Sequence, residues 1–172
     1  MLIGEKVNVR AINKEDLRYL NIWKNDEQTF RFLGGGYSPT SPDYQEKWLD
    51  SLIDTTGNDK RFVICEKSSS IPVGYIGLYN INWIHRVCEV GAYIGNVEYK
   101  RKGYMREAYM LTERFARNYL NLRKINLCVV SDNEAAVEMW LSFGYTQIGE
   151  YNKERYIDGE YRNLLIMEKF IN

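Results

Sequence analysis

Apolar and polar residues alternate over residues 6–12, and this period of two is typical of a half-buried strand. A helical pattern follows over residues 13–30, opened by the capping run Asn13-Lys14-Glu15-Asp16. The glycine-rich stretch 34–39 cannot sustain a helix, and Ser41-Pro42 then supplies a capping hydroxyl and a first-turn proline. We therefore predict a strand and two helices, with a flexible loop between the helices.

Three strand-rich runs occupy the middle of the chain, at residues 61–66, 72–80 and 86–95. Turn-like residues separate them, which favours an antiparallel meander. From Gly103 onward the apolar period becomes helical, so the sequence predicts a long amphipathic helix. The apolar face of this helix carries Tyr104, Ala108, Leu111 and Phe115.

The last third of the chain predicts a strand, a helix and a final hairpin. Residues 125–129 alternate as a strand, and Asp132-Asn133 caps the helix that follows. Residues 145–149 and 161–167 form the last two strands, with Asp158-Gly159 as a hairpin turn. The whole pattern predicts an α/β (α+β) fold with about seven strands and about four helices.

Length and composition predict one globular domain over residues 1–172. Hydrophobic residues make up 45% of the chain, which argues against disorder. The 23 basic and 23 acidic side chains cancel, so no overall field attracts nucleic acid or an anionic membrane surface. We expect neither as a partner.

The sequence also favours a cytoplasmic location. Charges interrupt every apolar stretch of residues 1–16, which therefore contain no signal-peptide core or transit helix. No run approaches the ~20 apolar residues of a membrane span. Cys65, Cys88 and Cys128 form an odd set without CxxC spacing, and we expect them to be reduced and buried.

The most informative chemistry lies where a strand leads into the long helix. The residues that open this helix are Lys100-Arg101-Lys102-Gly103-Tyr104-Met105-Arg106. Backbone N–H groups at a helix start lack intrahelical partners, so a glycine turn lets several of them converge on a phosphate. The basic side chains add charge there, although a solvated basic helix entry is the alternative interpretation.

This stretch resembles the pyrophosphate loop of the GNAT superfamily, Q/R-x-x-G-x-G/A, with Gly103 at its central glycine. Residues 133–145 are similar to the pattern N-x-x-A-x-x-x-Y-x-x-x-G-F of the same superfamily. Residues 72–77 and 156–163 resemble the branch that contains ribosomal-protein N-terminal (RimJ/RimL-like) and spermidine acetyltransferases. The resemblance implies a GNAT-type fold, with a mixed, mostly antiparallel central sheet of about seven strands that is splayed into a V between two of them.

The resemblance further implies an N-acetyltransferase that uses acetyl-CoA as co-substrate and needs no metal. It assigns the cofactor contacts to the loop 100–106, to the splayed strand and to the helix after the cap; the residues outside the loop are Tyr93, Ile94, Gly95, Asn133 and Trp140. Asn133 is also the helix cap that its position predicts. Met105 stands where the family has a small residue, and we expect its side chain to crowd the pyrophosphate.

Glu89 is our candidate general base, because the attacking amine must be neutral and this residue lies on the strand beside the expected thioester. A surface or ion-paired glutamate is the alternative interpretation. A backbone N–H of the splayed strand would stabilise the oxyanion. Many relatives have a tyrosine acid where this chain has Trp140, but a thiol with a pKa of about 8.5 can leave without an acid.

The candidate acceptor residues surround the glycine-rich loop. Trp23, Phe32 and Tyr37 offer apolar walls, and His85 is a further candidate from a turn. The acceptor is a primary amine, and a peptide N-terminus, a polyamine, an amino sugar and an antibiotic amine are all left open. Pairing of the last hairpin in a homodimer is open as well.

Two alternatives belong to other functional classes. One is a non-catalytic acetyl-CoA-binding module of the same fold, in which the loss of the tyrosine has ended catalysis. The other is nucleic-acid binding through residues 100–106, but the sequence lacks the aromatic platform that such sites use. We prefer the transferase because it accounts for both matched blocks.

Overall fold

The structure, a computed structural model, describes residues 1–52 and 56–172. Its strands are β1 (Leu2–Ile3), β2 (Val7–Ala11), β3 (Lys60–Glu66), β4 (Pro72–Asn82), β5 (Val87–Ile94), β6 (Lys124–Val130), β7 (Thr146–Ile157) and β8 (Glu160–Phe170). Its helices are α1 (Leu17–Lys24), α2 (Glu27–Phe30), α3 (Pro42–Asp50), α4 (Tyr104–Asn118) and α5 (Glu134–Ser142). The elements follow one another in the order that the apolar periods predict.

One sheet holds all of these strands, in the order β1-β2-β3-β4-β5-β6-β8-β7. Neighbouring strands are antiparallel except β5 and β6, which are parallel. These two strands pair only at Val87, Cys88 and Glu89 of β5, although β5 continues to Ile94. Beyond Glu89 the strands separate, which confirms the predicted mixed α/β fold and its V-shaped splay.

Each face of the sheet has its own hydrophobic core, because neighbouring residues of a strand point to opposite sides. On β4, Ile76 belongs to the larger core, to which α4 contributes Ala108 and Leu111. The adjacent Tyr75 belongs to a smaller aromatic core that includes Trp23 of α1. The gap between β5 and β6 therefore opens between two separately packed faces.

Local departures from the predicted elements have physical reasons. The helix predicted over residues 13–30 is divided into α1 and α2, because the side chain of Asp26 accepts the N–H of Thr29 and starts a new helix there. β7 continues well beyond residue 149, and an exposed edge strand of this kind need not show apolar alternation. Cys128 is exposed rather than buried, since its side chain faces the gap between β5 and β6.

Candidate active site

The gap between β5 and β6 widens into a cavity of about 660 Å³. Residues 89–93 of β5 and 127–129 of β6 form its two edges. α5 lines one side, and aromatic residues from the smaller core, including Phe30 and Tyr75, line another. The cavity thus reaches residues of both faces of the sheet, so that two molecules can meet in it from opposite sides.

Two backbone N–H groups of β5 point into this gap. The N–H of Gly95 donates to Val73 O on β4 at 3.0 Å. Because hydrogen bonding alternates along an antiparallel strand, the N–H groups of Ile94 and Ala92 face the opposite side, where β6 has separated. These groups are available to a carbonyl oxygen or to another acceptor in the gap.

Glu89 lies at the point where the V opens. It forms the last residue pair between β5 and β6, opposite Asn126. Its Oε1 accepts a hydrogen bond from Asn80 Nδ2 at 3.2 Å, and the carboxylate lines the cavity without an ion pair to any residue of the described chain. A carboxylate in this position can accept a proton from an amine bound in the gap.

The start of α4 has the geometry of an anion site. Gly103 adopts φ +81° and ψ +4°, a left-handed conformation that glycine takes without strain. The first helical hydrogen bond runs from Glu107 N–H to Gly103 O, so the N–H groups of Tyr104, Met105 and Arg106 have no partner inside the helix. They lie at the positive end of the helix dipole. The pyrophosphate contact itself stays a prediction.

The basic side chains around Gly103 point in different directions. Lys100 and Arg101 are exposed to solvent. Lys102 Nζ lies 5.1 Å from the centroid of the Tyr99 ring. Arg106 donates to Ser142 Oγ at 2.9 Å and so connects α4 to α5. Lys100 and Arg101 are therefore the side chains that are freest to move toward a bound phosphate.

Tyr104 and Met105 face away from the cavity. Tyr104 OH donates to Glu66 Oε1 at 2.5 Å on β3. Met105 is only 9% exposed and packs into the larger core beneath α4. The expectation that its side chain crowds a pyrophosphate is therefore corrected, because on an amphipathic helix this position points inward. Only the backbone of these two residues remains a candidate for cofactor binding.

Asn133 and Trp140 both line the cavity from the side of α5. Asn133 is the N-cap residue, yet its side chain makes no capping hydrogen bond, so its amide is available to a ligand. Trp140 is 5% exposed and makes edge-to-face contacts with Tyr109 and Tyr145. The indole thus forms a wall of the cavity at the position where the family pattern has tyrosine.

A buried tyrosine beside the thioester could replace the missing tyrosine acid, and Tyr93 lines the cavity whereas Tyr104 and Tyr145 do not. Burial raises the pKa of Tyr93 above its ordinary value, which keeps the phenol protonated. Tyr145 lies in the core, where its hydroxyl accepts a hydrogen bond from Tyr109 OH at 3.0 Å. Tyr93 is therefore better placed than Tyr145 or Tyr104 to donate a proton in the gap.

Cys128 also lines the cavity, and its environment opposes a nucleophilic role. Partial desolvation of its sulfur at the edge of the gap, followed by the charges of Glu89 and Glu154, raises the pKa of the Cys128 thiol. Because the thiolate is the reactive form, this environment disfavours attack by Cys128 on an acyl group. Burial raises the pKa of Cys88 to about 12, with the same consequence.

The structure brings one of the candidate acceptor residues, Phe32, into the cavity lining. Trp23 is 4% exposed and packs against Gly95, where an added Cβ would lie 2.0 Å from the indole. Trp23 thus packs against the end of β5 and does not line the cavity. Tyr37 and His85 are exposed and lie outside the lining, His85 in the turn between β4 and β5.

Sequence reasoning missed several charged residues of the cavity. Asp59 and Arg61 lie two positions apart, which places them on one face of an extended segment, and the neighbouring β4 adds Tyr75 and Tyr79. That alternation was readable in the sequence. Lys24 at the end of α1 and Arg155 in β7 gave no such signal, because only the folded chain brings them to the same cavity.

Comparison with known proteins decides the family. The acetyltransferase (GNAT) domain family matches residues 6–146. Spermidine N(1)-acetyltransferase of Escherichia coli (strain K12) is 31% identical over 168 residues, which cover 95% of this chain and 86% of that protein. The chain belongs to the GNAT acetyltransferase family. It is an N-acetyltransferase that depends on acetyl-CoA.

A solved structure supports the same assignment of this GNAT acetyltransferase. Spermidine N-acetyltransferase from Vibrio cholerae, in complex with CoA and spermine, matches with a TM-score of 0.89 at 26% identity. The match covers 97% of this chain and 96% of that one. The fold is therefore shared over nearly its whole length.

No helix in residues 1–52 or 56–172 is long and apolar enough to cross a membrane. In the same part of the chain, no group of three or more His, Cys, Asp or Glu side chains is arranged to hold a metal ion.

Proposed function

We propose that this GNAT acetyltransferase acetylates the primary amine of a small molecule by direct attack within a ternary complex. The observation that carries the proposal is the gap between β5 and β6, which joins both faces of the sheet and has Glu89 at its apex. Bound acetyl-CoA supplies an activated acyl group as a thioester. The residues around the gap support a role in binding acetyl-CoA, in polarising its carbonyl group and in accepting the proton of the amine.

The start of α4 is suited to hold the phosphates of acetyl-CoA. Its free N–H groups and Gly103 form the backbone part of this site, and Lys100 and Arg101 add charge. Asn133 has an uncapped amide on the cavity wall and is suited to contact the pantetheine arm. This arrangement brings the thioester toward the splayed part of β5.

The N–H groups of Ala92 and Ile94 are suited to polarise the thioester carbonyl and to stabilise the negative charge on its oxygen. Glu89 accepts the proton of the ammonium, directly or through water, so that a neutral amine attacks. The new bond joins the amine nitrogen to the acetyl carbon, the carbon–sulfur bond breaks, and the surplus proton of the nitrogen is released to water. Because thiols have pKa values near ~8.5, the thiolate can leave without a tyrosine at the position of Trp140.

Direct attack agrees with the raised pKa values of both cysteines near the gap. Covalent catalysis would require a thiolate, and desolvation disfavours that form at Cys88 and Cys128. An acetyl-cysteine intermediate is thus the weaker mechanism. Cys128→Ala should retain acetyl transfer, since no step above uses its sulfur.

The experiment that tests the proposal measures free thiol release from acetyl-CoA with a panel of amines. The panel includes spermidine and spermine, because relatives are named for spermidine, together with peptide N-termini, amino sugars and aminoglycosides. Acetylated product is then identified by mass spectrometry. Binding of acetyl-CoA without turnover of any amine would contradict the proposal and would favour the non-catalytic module.

A further inference from the structure

The acceptor side of the cavity has more positive than negative side chains among the described residues. Its lining contains the cations Lys24, Arg61 and Arg155 and the carboxylates Asp59 and Glu89. A polyamine carries at least two ammonium groups, and each buried charge needs a counter-charge or several hydrogen bonds. Which of these five side chains can bind a charged ligand depends on which of them already have a partner in the protein.

Asp59 is already occupied by the protein itself. Its Oδ2 accepts a hydrogen bond from Arg61 NH2 at 2.8 Å, and its Oδ1 accepts the N–H of Asn80 at 3.0 Å. The Arg61 guanidinium also lies 5.0 Å from the centroid of the Tyr79 ring and 5.9 Å from that of Trp48. Arg61 thus fills both the carboxylate and the aromatic faces on which a second ammonium would bind.

Glu89 is then the remaining carboxylate of the lining, and it serves the reacting amine. Within the described part of the chain, the cavity offers no second free carboxylate for a distal ammonium. A diamine or polyamine would place its second charge among cations. Like charges at short distance are unfavourable in a partly buried site.

Lys24 and Arg155 differ from Arg61, which is paired with Asp59. None of the ion pairs of the described residues includes Lys24 or Arg155. Burial lowers the pKa of Lys24. Lys24 Nζ lies 4.4 Å from the centroid of the Phe30 ring, and a Cβ built on Gly35 would lie 4.0 Å from it. Arg155 NH2 donates to Leu33 O at 2.6 Å. Both cations therefore border the same short loop, residues 33–35, at the rim of the cavity.

We propose that Lys24 and Arg155 form an oxyanion site for the acceptor, so that the preferred substrate is a primary amine with a carboxylate or phosphate at its far end. The inference rests on the proposed transferase function and specifies its acceptor. Glu89 meets the reacting amine at one end of the cavity. Lys24 and Arg155, which have no ion pair among the described residues, meet the anionic group at the other end. The paired Arg61 and Asp59 exclude a second ammonium between them.

The test compares kcat/KM for four amines of similar length that differ at the far end: putrescine, γ-aminobutyrate, aminopropylphosphonate and n-butylamine. At least one anionic amine should exceed n-butylamine by about tenfold or more, and putrescine should be the poorest. The carboxylate and phosphonate arms show which oxyanion the site takes. A preference for putrescine would overturn the inference while leaving the transferase function intact.

Variants then connect the preference to the two cations. Lys24→Gln and Arg155→Gln should each lower the ratio of anionic to neutral kcat/KM by about tenfold, mainly through KM of the anionic amine. Lys24→Arg, which keeps the charge, should retain the ratio. Lys47→Gln, on the exposed side of α3, is the matched control and should not change it. An unchanged ratio in both glutamine variants, with folding verified by circular dichroism, would sink the assignment.

Discussion

Glu89 is the proposed general base, and its position at the apex of the gap is what suits it to that role. It lies at the last pair of β5 and β6, and among the described residues the amide of Asn80 is its one side-chain partner. We predict that Glu89→Gln lowers kcat by about 100-fold or more near neutral pH, which is the usual scale of a general base. The measurement is steady-state thiol release with the best acceptor of the amine panel.

The pH dependence distinguishes a base from a residue that only shapes the cavity. Amines have pKa values from about 8 to about 10, so at high pH the acceptor is already neutral in solution. The deficit of Glu89→Gln should therefore shrink as the pH rises toward the amine pKa. Glu98→Gln, exposed and outside the cavity, is the control. A deficit that is constant with pH would argue against proton transfer to Glu89.

A substitution of Gly103 tests whether the start of α4 binds the phosphates of acetyl-CoA. A glutamate there would add a negative charge beside the free N–H groups and would adopt φ +81° only with strain. We predict that Gly103→Glu raises Kd for acetyl-CoA by about 100-fold or more, since a like charge next to phosphate costs several kcal/mol, about 3 or more. Isothermal titration calorimetry measures this directly.

Gly159 offers a matched control for that substitution. It has φ +80° in the hairpin turn between β7 and β8, and no atom of the described residues lies within 4 Å of an added Cβ. Gly159→Glu therefore introduces the same strain and the same charge away from the gap. If both variants bind acetyl-CoA equally well, the cofactor phosphates do not lie at the start of α4.

At the scale of the element, the Glu107 carboxylate joins α4 to the backbone at the start of β2. Glu107 Oε1 accepts the N–H of Glu5, and its Oε2 accepts those of Lys6 and Val7, each at 2.8 Å. This contact joins the first turn of α4 to the start of β2. Partial burial opposes ionisation, but the three backbone donors outweigh it and hold the pKa of Glu107 below its ordinary value.

We predict that Glu107→Gln lowers stability by about 2 kcal/mol at neutral pH, because hydrogen bonds to a charged acceptor are the stronger kind. For a protein of this size, that loss corresponds to a decrease in Tm of about 4–8 °C. The difference from the unchanged protein should be complete above the ordinary carboxyl pKa of about 4.3 and should fade as the pH falls below it. Thermal unfolding from pH 7 to pH 3 checks the sign.

Glu138→Gln is the control for this prediction, since Glu138 is an exposed residue of α5. It should change Tm by no more than about 2 °C, the scale of surface substitutions. If Glu107→Gln behaves like Glu138→Gln at every pH, the carboxylate does not fix α4 in place.

The elements themselves were largely readable from the sequence, and the contacts between them were not. The helical period after Gly103 predicted α4, and Asp158-Gly159 predicted the turn between β7 and β8. Nothing near Glu107 indicated that it would bind N–H groups about a hundred positions earlier in the chain. Local periodicity reports which face of an element is buried, but it carries no information about partners far away in sequence.

The candidate site shows the same contrast between residues that local motifs predict and contacts between residues far apart in sequence. Motif positions placed Gly103, Asn133 and Trp140 near acetyl-CoA by resemblance, and Asn133 and Trp140 do line one cavity. The acceptor residues were harder to predict, because α1, the segment before β3, and β7 meet only in the folded protein. Lys24 and Arg155 are 131 positions apart, and yet both border the loop of residues 33–35. Charges on separate elements gave no local pattern from which this cluster could be inferred.

At the scale of the whole molecule, the two cores share strand β4. Tyr75 and Ile76 are neighbours on β4, yet they belong to opposite cores, so neither core can lose its packing without disturbing the strand that the other needs. We therefore propose that residues 1–172 form a single domain and predict one cooperative unfolding transition. Differential scanning calorimetry should give equal calorimetric and van't Hoff enthalpies.

A further prediction concerns the effect of acetyl-CoA on this transition. The gap in which we propose that it binds lies between β5 and β6, within the proposed single domain. A ligand bound there contacts strands that support both cores, so it should raise the one transition rather than divide it. At about 100 times Kd, binding adds about 2.7 kcal/mol, which corresponds to an increase in Tm of about 5–10 °C. Two separate transitions, or a ligand effect on only one of them, would mean that the faces of the sheet unfold independently and that the gap is a boundary between units.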